Sequence, residues 1–392
     1  MKEPLTAKRR FLAALQGEIP DRLPVTTHHV MPSFLEKYLK GVSNQEFFDL
    51  FGLDPILWLV AHKPETHRGD YCDPSQDSLD YLQPPRICSE NWRIKAERIP
   101  HFKHNTVRYR FLTPSKTLAM VLQSDAQTTW VTERMIKDKT DLDVFARYAT
   151  MPLCDVEEVN RQTRAFGERG MVRGTLPGFD VYGQPGCWQD AAVLYGIEKL
   201  ILETYDDPDW VHSFLGVLLE RKKHYVRSLN KAEFDLIELG GGDASSTVIS
   251  PHIFEKFVAP YDAELICLLH EANQRVVYHT CGGMMPLLER IADMNPDAME
   301  TFTPPSLGGD VELKEAKRRI GHRVCLIGGF DQFHYFMDCP PEKTREAVRR
   351  CFEEAGEGGG FILAPSDHFF DADLDLLKAF ADEARNCTYE IS

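Results

Sequence analysis

The residues best equipped for chemistry lie in Tyr278-His279-Thr280-Cys281-Gly282-Gly283. In an extended segment, residues two apart point to the same side. His279 and Cys281 can therefore offer an imidazole nitrogen and a thiolate to one ion. Those donors suit zinc, which takes about four ligands and keeps one position open where it is catalytic. Glu300, and Asp367 or His368 beside it, are the candidates for the remaining positions. Bound zinc lowers the pKa of a thiol or hydroxyl, so this set points to activation of one on a substrate. Glu238, Asp243 and Asp331 also sit where apolar runs end. His28-His29 ends the run Leu23-Pro24-Val25-Thr26-Thr27. Adjacent residues on extended chain face opposite sides, so at most one of the two faces a site, and His29 is taken as that one. His62, His67, His101 and His104 fall in irregular sequence and are expected at the surface.

Elements of one kind must position these groups. Phe234–Leu239, Val276–His279, Asp297–Thr301, Arg323–Ile327 and Gly360–Ala364 are short runs, each followed by a glycine, proline or turn and then a helical pattern. Ser250-Pro251 opens one such helix, with Ser as N-cap and Pro at the first helical position. This alternation demands crossover connections and hence parallel strands. In parallel α/β folds the functional groups collect at the C-terminal strand ends, where the residues above lie. A barrel and a doubly wound open sheet both satisfy the pattern. No Gly-x-Gly-x-x-Gly follows an early strand, which argues against dinucleotide binding. The triplets Gly240–Gly242 and Gly358–Gly360 lack the Lys-Ser/Thr of a phosphate loop and read as tight turns. The first half carries a helix over 6–16 and, over residues 92–135, alternating polar and apolar residues that predict an inserted antiparallel hairpin region. No linker or repeat interrupts the chain, which reads as one domain over 1–392.

Composition removes whole classes of function. The 392 residues hold 45 Lys and Arg against 60 Asp and Glu, a net charge of −15. Such a surface repels phosphate backbones, so nucleic acid is not an expected partner. No apolar run approaches the ~20 residues of a membrane span. The opening residues are too polar for a secretory leader. The ten cysteines include no Cys-x-x-Cys, and they predict free thiols in a reducing cytoplasm.

Ala13–Val25, Ser250–Tyr261, His279-Thr280-Cys281-Gly282, Leu326–Asp331 and Gly360–Leu363 resemble, in order, the uroporphyrinogen decarboxylase superfamily. The resemblance implies a (β/α)8 TIM-type barrel with its site at the C-terminal mouth. The true decarboxylases of that superfamily carry an Arg-Gln-Ala-Gly-Arg run and an aspartate for their polycarboxylate tetrapyrrole. Here His29-Val30-Met31-Pro32-Ser33 and Leu59-Val60-Ala61 stand at those places, without arginine or aspartate. The other branch is similar to zinc- and corrinoid-dependent methyltransferases, whose His-x-Cys and later Cys hold zinc. His279 and Cys281 match that pair, and Asp367 with His368 stands where the later Cys falls. An oxygen or nitrogen ligand there leaves zinc more electrophilic, which suits an ether or alcohol oxygen.

The resemblance thus implies methyl transfer between a small methylated, even methoxylated, donor and a corrinoid on a partner protein. Zinc would lie on His279, Cys281 and Asp367, with Glu300 a further candidate. Glu238 and His368 would serve catalysis, and His29 and Asp331 would contact substrate. The insert would frame the partner's docking surface, and a homodimer is compatible with this scheme. The alternatives are a decarboxylase of a tetrapyrrole or another carboxylate, needing no metal, and a binding protein that retains a coloured ligand.

Overall fold

The structure, a computed structural model, describes residues 4–76 and 85–389. Seven parallel strands form its central sheet, and they neighbour one another in chain order. They are β1 (Ile56–Trp58), β2 (Met171–Thr175), β3 (Leu236–Gly240), β4 (Val276–His279), β5 (Ala298–Thr301), β6 (Cys325–Phe330) and β7 (Phe361–Pro365). Helices cross between them, including Pro208–Ser228 before β3, Ala259–Glu271 before β4 and Pro341–Ala355 before β7. Strands β5 and β7 are buried at every position, as covering on both faces requires. Ser250 caps the helical stretch that begins at Pro251 by accepting from the Ile253 N–H. Among the described residues, no helix is long and apolar enough to cross a membrane.

The sheet curls in the manner of a TIM-type α/β fold, and the run 23–27 lies between its two edges. Val25 pairs in parallel with Leu363 of β7. The Thr26 N–H donates to Leu363 O at 2.9 Å, and the Leu363 N–H to Pro24 O at 2.9 Å. On the other side, toward β1, Asp54 binds Val25 twice. Its N–H donates to Val25 O at 2.7 Å. Its Oδ2 accepts from the Val25 N–H at 3.0 Å. The run thus pairs at one residue instead of forming a full strand, because a side-chain carboxylate replaces the backbone ladder. Asp54 is buried, and Arg10 Nη1 (2.6 Å) and Arg22 Nη2 (2.8 Å) neutralise it. His28 and His29 follow this anchored run directly.

Between β1 and β2 the chain builds a separate four-stranded antiparallel sheet, Arg93–Arg98, Asn105–Leu112, Thr117–Ser124 and Thr129–Glu133. Trp92 stacks on Phe111 at 5.1 Å to fix its inner face. Its last turn, 125–129, reaches over the C-terminal ends of the parallel strands.

Asp54→Ala removes a carboxylate from buried Arg10, which keeps Asp21, and from half-buried Arg22, and it frees the Val25 N–H. Leaving the buried Val25 N–H unpaired and weakening these ion pairs costs about 1–3 kcal/mol. Urea unfolding of the variant should show a loss of that size, and a loss under about 1 kcal/mol would mean the run 23–27 is held by other contacts.

Candidate active site

Arg173 is the centre of the site. It lies in β2, between Trp58 of β1 in register and the interior of the sheet, and is buried. A cation there needs partners, and the adjacent strand β3 and the more distant strand β5 supply them. Arg173 Nη1 donates to Glu300 Oε2 at 2.8 Å, and Nη2 donates to Glu238 Oε2 at 2.8 Å and to Glu300 Oε1. The guanidinium also lies over the Trp58 ring, 4.5 Å from its centroid. Trp58 Nε1 in turn donates to His28 O at 2.7 Å.

Two histidines complete this buried layer. His28 Nε2 lies 3.1 Å from Glu238 Oε2 and 3.4 Å from Glu300 Oε1. His279 Nδ1 lies 2.8 Å from Glu300 Oε1. Burial opposes charge on both rings. The carboxylates outweigh it, lifting His28 above the usual imidazole range and, with the Cys281 side chain, His279 well above it. Burial likewise opposes charge on the glutamates. Arg173 and the histidines nevertheless hold Glu300 well below the usual carboxyl range and bring Glu238 to about 2.

A second layer faces the open mouth. His29 and His368 are 3.8 Å apart, centroid to centroid, and His28 and His29 approach Nδ1 to Nδ1 at 2.7 Å. Burial keeps both outer rings neutral: His29 falls well below the usual range and His368 to about 4, with the nearby His28 adding to each. Asp367 accepts from the His368 N–H at 2.7 Å. His368 Nδ1 is buried without a hydrogen-bond partner. The Cys281 side chain contributes to raising His279. A Cβ on residue 242 would lie 2.7 Å from Cys281 Sγ, so the glycine there leaves the thiol its place.

These groups line a mouth of two adjoining lobes, about 950 and about 730 Å3, which share Cys281, Asp367, His368 and Phe370. Glu238, His29, His279 and the turn 125–129 line the larger lobe. Of the residues singled out from sequence, Asp331 is placed elsewhere. Its carboxylate caps the short helix Gln332–Tyr335 through the His334 N–H and accepts from Ser306 Oγ at 2.6 Å. It lines a separate outer hollow. Glu300 is below the mouth, with both oxygens bound to Arg173. His28 and His29 both reach the mouth, against the expected alternation, because the backbone bends at His28. His62, expected at the surface, is buried against Tyr225 at 5.3 Å. Sequence reasoning missed Arg173 and His28. The signal for Arg173 was available: a lone charge in the apolar run Met171-Val172-Arg173 must find carboxylates.

Among the described residues, two groups bring potential metal-binding atoms within 4.8 Å of one another: His28, Glu238, His279 and Glu300, and His28, His29 and His368. Cys281 and Asp367 belong to neither. Arg173 already neutralises the first group, so a divalent ion there would meet a guanidinium. On the mouth side His279, Cys281, Asp367 and His368 supply donor types that zinc takes, although among the described residues Cys281 and Asp367 join no converging group. His279 has Nδ1 committed to Glu300, which leaves Nε2 for a metal, the arrangement in which a carboxylate orients a ligating histidine. Cys281, Asp367 and the unpartnered Nδ1 of His368 lie on the same face.

A family description of uroporphyrinogen decarboxylase matches residues 182–387. The chain belongs to this family. Two relatives are uroporphyrinogen decarboxylases. The enzyme of Thioalkalivibrio sulfidiphilus is 29% identical over 162 residues, 41% of this chain and 43% of its own. That of Hahella chejuensis is 25% identical over 254 residues, 62% of this chain and 67% of its own. The chain thus spans under half the length of the first of these. Among solved structures, a methyltransferase from Methanosarcina mazei matches over 97% of this chain and 99% of its own, with a TM-score of 0.56 at 19% identity. This family member therefore shares its fold with a methyltransferase while its sequence relatives are decarboxylases.

The low Glu238 pKa has a consequence for stability. Its ordinary value is 4.5 and its folded value about 2, so unfolding takes up a proton between these limits. The stabilisation is present above pH 4.5 and is lost as pH falls toward 2. Urea unfolding at stepped pH below 4.5 should therefore show a steeper decline in the wild type than in Glu238→Gln, by at most about 1.4 kcal/mol per pH unit. Equal slopes would mean that Glu238 titrates normally.

Proposed function

We propose that this protein is a zinc-dependent methyltransferase that moves a methyl group between a small, uncharged or cationic methylated compound and a corrinoid carried by a partner protein. One observation carries this reading: no lysine or arginine is among the described residues lining the mouth, whereas Asp125, Glu238, Asp243 and Asp367 are. A tetrapyrrole bearing many carboxylates needs guanidinium forks, and these carboxylates would repel it. Arg173 cannot serve, since Glu238 and Glu300 occupy it.

In this reading His279, Cys281 and Asp367 hold zinc, with His368 beside them. Bound zinc would supply Lewis acidity toward the oxygen or sulfur that gains or loses the methyl group. The remaining work belongs to the chain. Glu300 fixes the His279 ring, and Arg173 fixes Glu300. His368 and His29, neutral at their depressed pKa, can accept a proton from a substrate hydroxyl or thiol and return it. The turn 125–129 forms one wall of the larger lobe. The open mouth gives a corrinoid partner its access, with the antiparallel sheet at one side.

Elemental analysis of protein purified without added metal should give about one zinc per chain, lost in Cys281→Ser and in His279→Ala. The zinc-loaded wild type should methylate free cob(I)alamin from a suitable donor, followed by the visible spectrum, and should release no carbon dioxide from uroporphyrinogen. Absence of zinc in the wild type, together with carbon dioxide release, would replace this reading with decarboxylation.

A further inference from the structure

The mouth has an inner annex. A cavity of about 220 Å3 lies between the end of β1 and the loop 176–185. It shares His28, His29, Tyr182, Gln184 and Glu238 with the larger lobe, so it opens from the site described above. Trp58, Val60, Leu176 and Phe179 give it apolar walls. Two polar groups interrupt them. His62 is 7% exposed, and neither ring nitrogen has a hydrogen-bond partner. Asp180 Oδ2 is also buried without one.

Buried polar groups left unpaired are rare, and each costs about 1–3 kcal/mol. Water, an ion or a ligand pairs such groups, and these two line a cavity that a ligand can enter. The chemistry of that ligand follows from His62. Its backbone is fixed by antiparallel pairing with Cys154, and its ring packs on Tyr225. Burial pushes the imidazole down to about 3, so the ring is neutral and offers one N–H donor and one acceptor nitrogen. A carboxylate could only accept from it, and an ammonium could only donate. A hydroxyl does both, and its proton can alternatively go to Asp180.

We propose that the annex is a binding site for an uncharged hydroxyl group on a small apolar body, held by His62 and Asp180. Its assigned role, seating the end of the substrate remote from the migrating methyl group, rests on the proposed methyl transfer. The existence of the site does not. Specificity would follow the general rule that a pocket built to hydrogen-bond a hydroxyl rejects the analogue lacking it.

Phenol and toluene have nearly the same shape and differ in the hydroxyl, so they serve as probes. Ligand-observed NMR titration of the zinc-loaded wild type should give phenol at least about tenfold the affinity of toluene. His62→Phe should abolish the preference while toluene binding stays within about twofold of the wild type. Should His62→Phe fail to fold, a wild-type crystal soaked with phenol decides the matter. Density placing the phenol oxygen on a His62 ring nitrogen upholds the site, and an annex without phenol overturns it. Equal affinities in the wild type, or a preference that survives His62→Phe, would also overturn it. A His62-dependent preference in a protein that fails every methyl-transfer assay would uphold the site and remove the reaction.

Discussion

A single guanidinium organises this molecule's interior. Arg173 is buried in β2, and a buried charge is tolerated only when fully paired. Its pairing reaches across the sheet, to Glu238 on β3 and Glu300 on β5. The two glutamates then determine the states of the histidines. They raise His28 and His279 above the usual imidazole range, while burial and the neighbouring rings lower His29 and His368 at the mouth. Four histidines within a few ångströms thus divide into two whose pKa is raised and two whose pKa is lowered. The first pair contacts the glutamates, and all four rings line the cavity.

The scaffold delivers these groups by simple means. Parallel strands end at one face, so β2 to β7 bring side chains distant in sequence to one mouth. Asp54 anchors the run 23–27, which carries His28 and His29 into the same layer. Paired cations inside and carboxylates outside give a mouth that is acidic although its foundation contains arginine. Among the described residues, lysine and arginine stay out of the mouth's lining.

The parallel α/β frame was legible because its signals are local: apolar runs, glycine stops, the Ser250-Pro251 cap and the helix breaks. The candidate site was legible in part for the same reason. His279, Cys281, Glu300, Asp367 and His368 end strands, and ends of parallel strands converge. Other readings failed where a local rule met a non-local contact. The alternation expected of His28 and His29 assumes extended chain, and the backbone bends there. Asp331 ends a strand like the others, but the nearest N–H donors are those of its own helix. His62 lies in irregular sequence yet is buried by Tyr225 of a distant helix.

The sequence by itself determined the class of fold, the acidic character and the donor types available, because periodicity, charge and residue chemistry are properties of the chain. Only the tertiary structure decided which donors meet. It gave Glu300 to Arg173, turned Asp331 away, kept arginine and lysine out of the mouth and buried His62 beside it. The reason is physical. Whether a carboxylate binds a cation, orients a histidine or caps a helix depends on what lies within about 3 Å of it, and chain spacing does not encode that distance for residues on different strands.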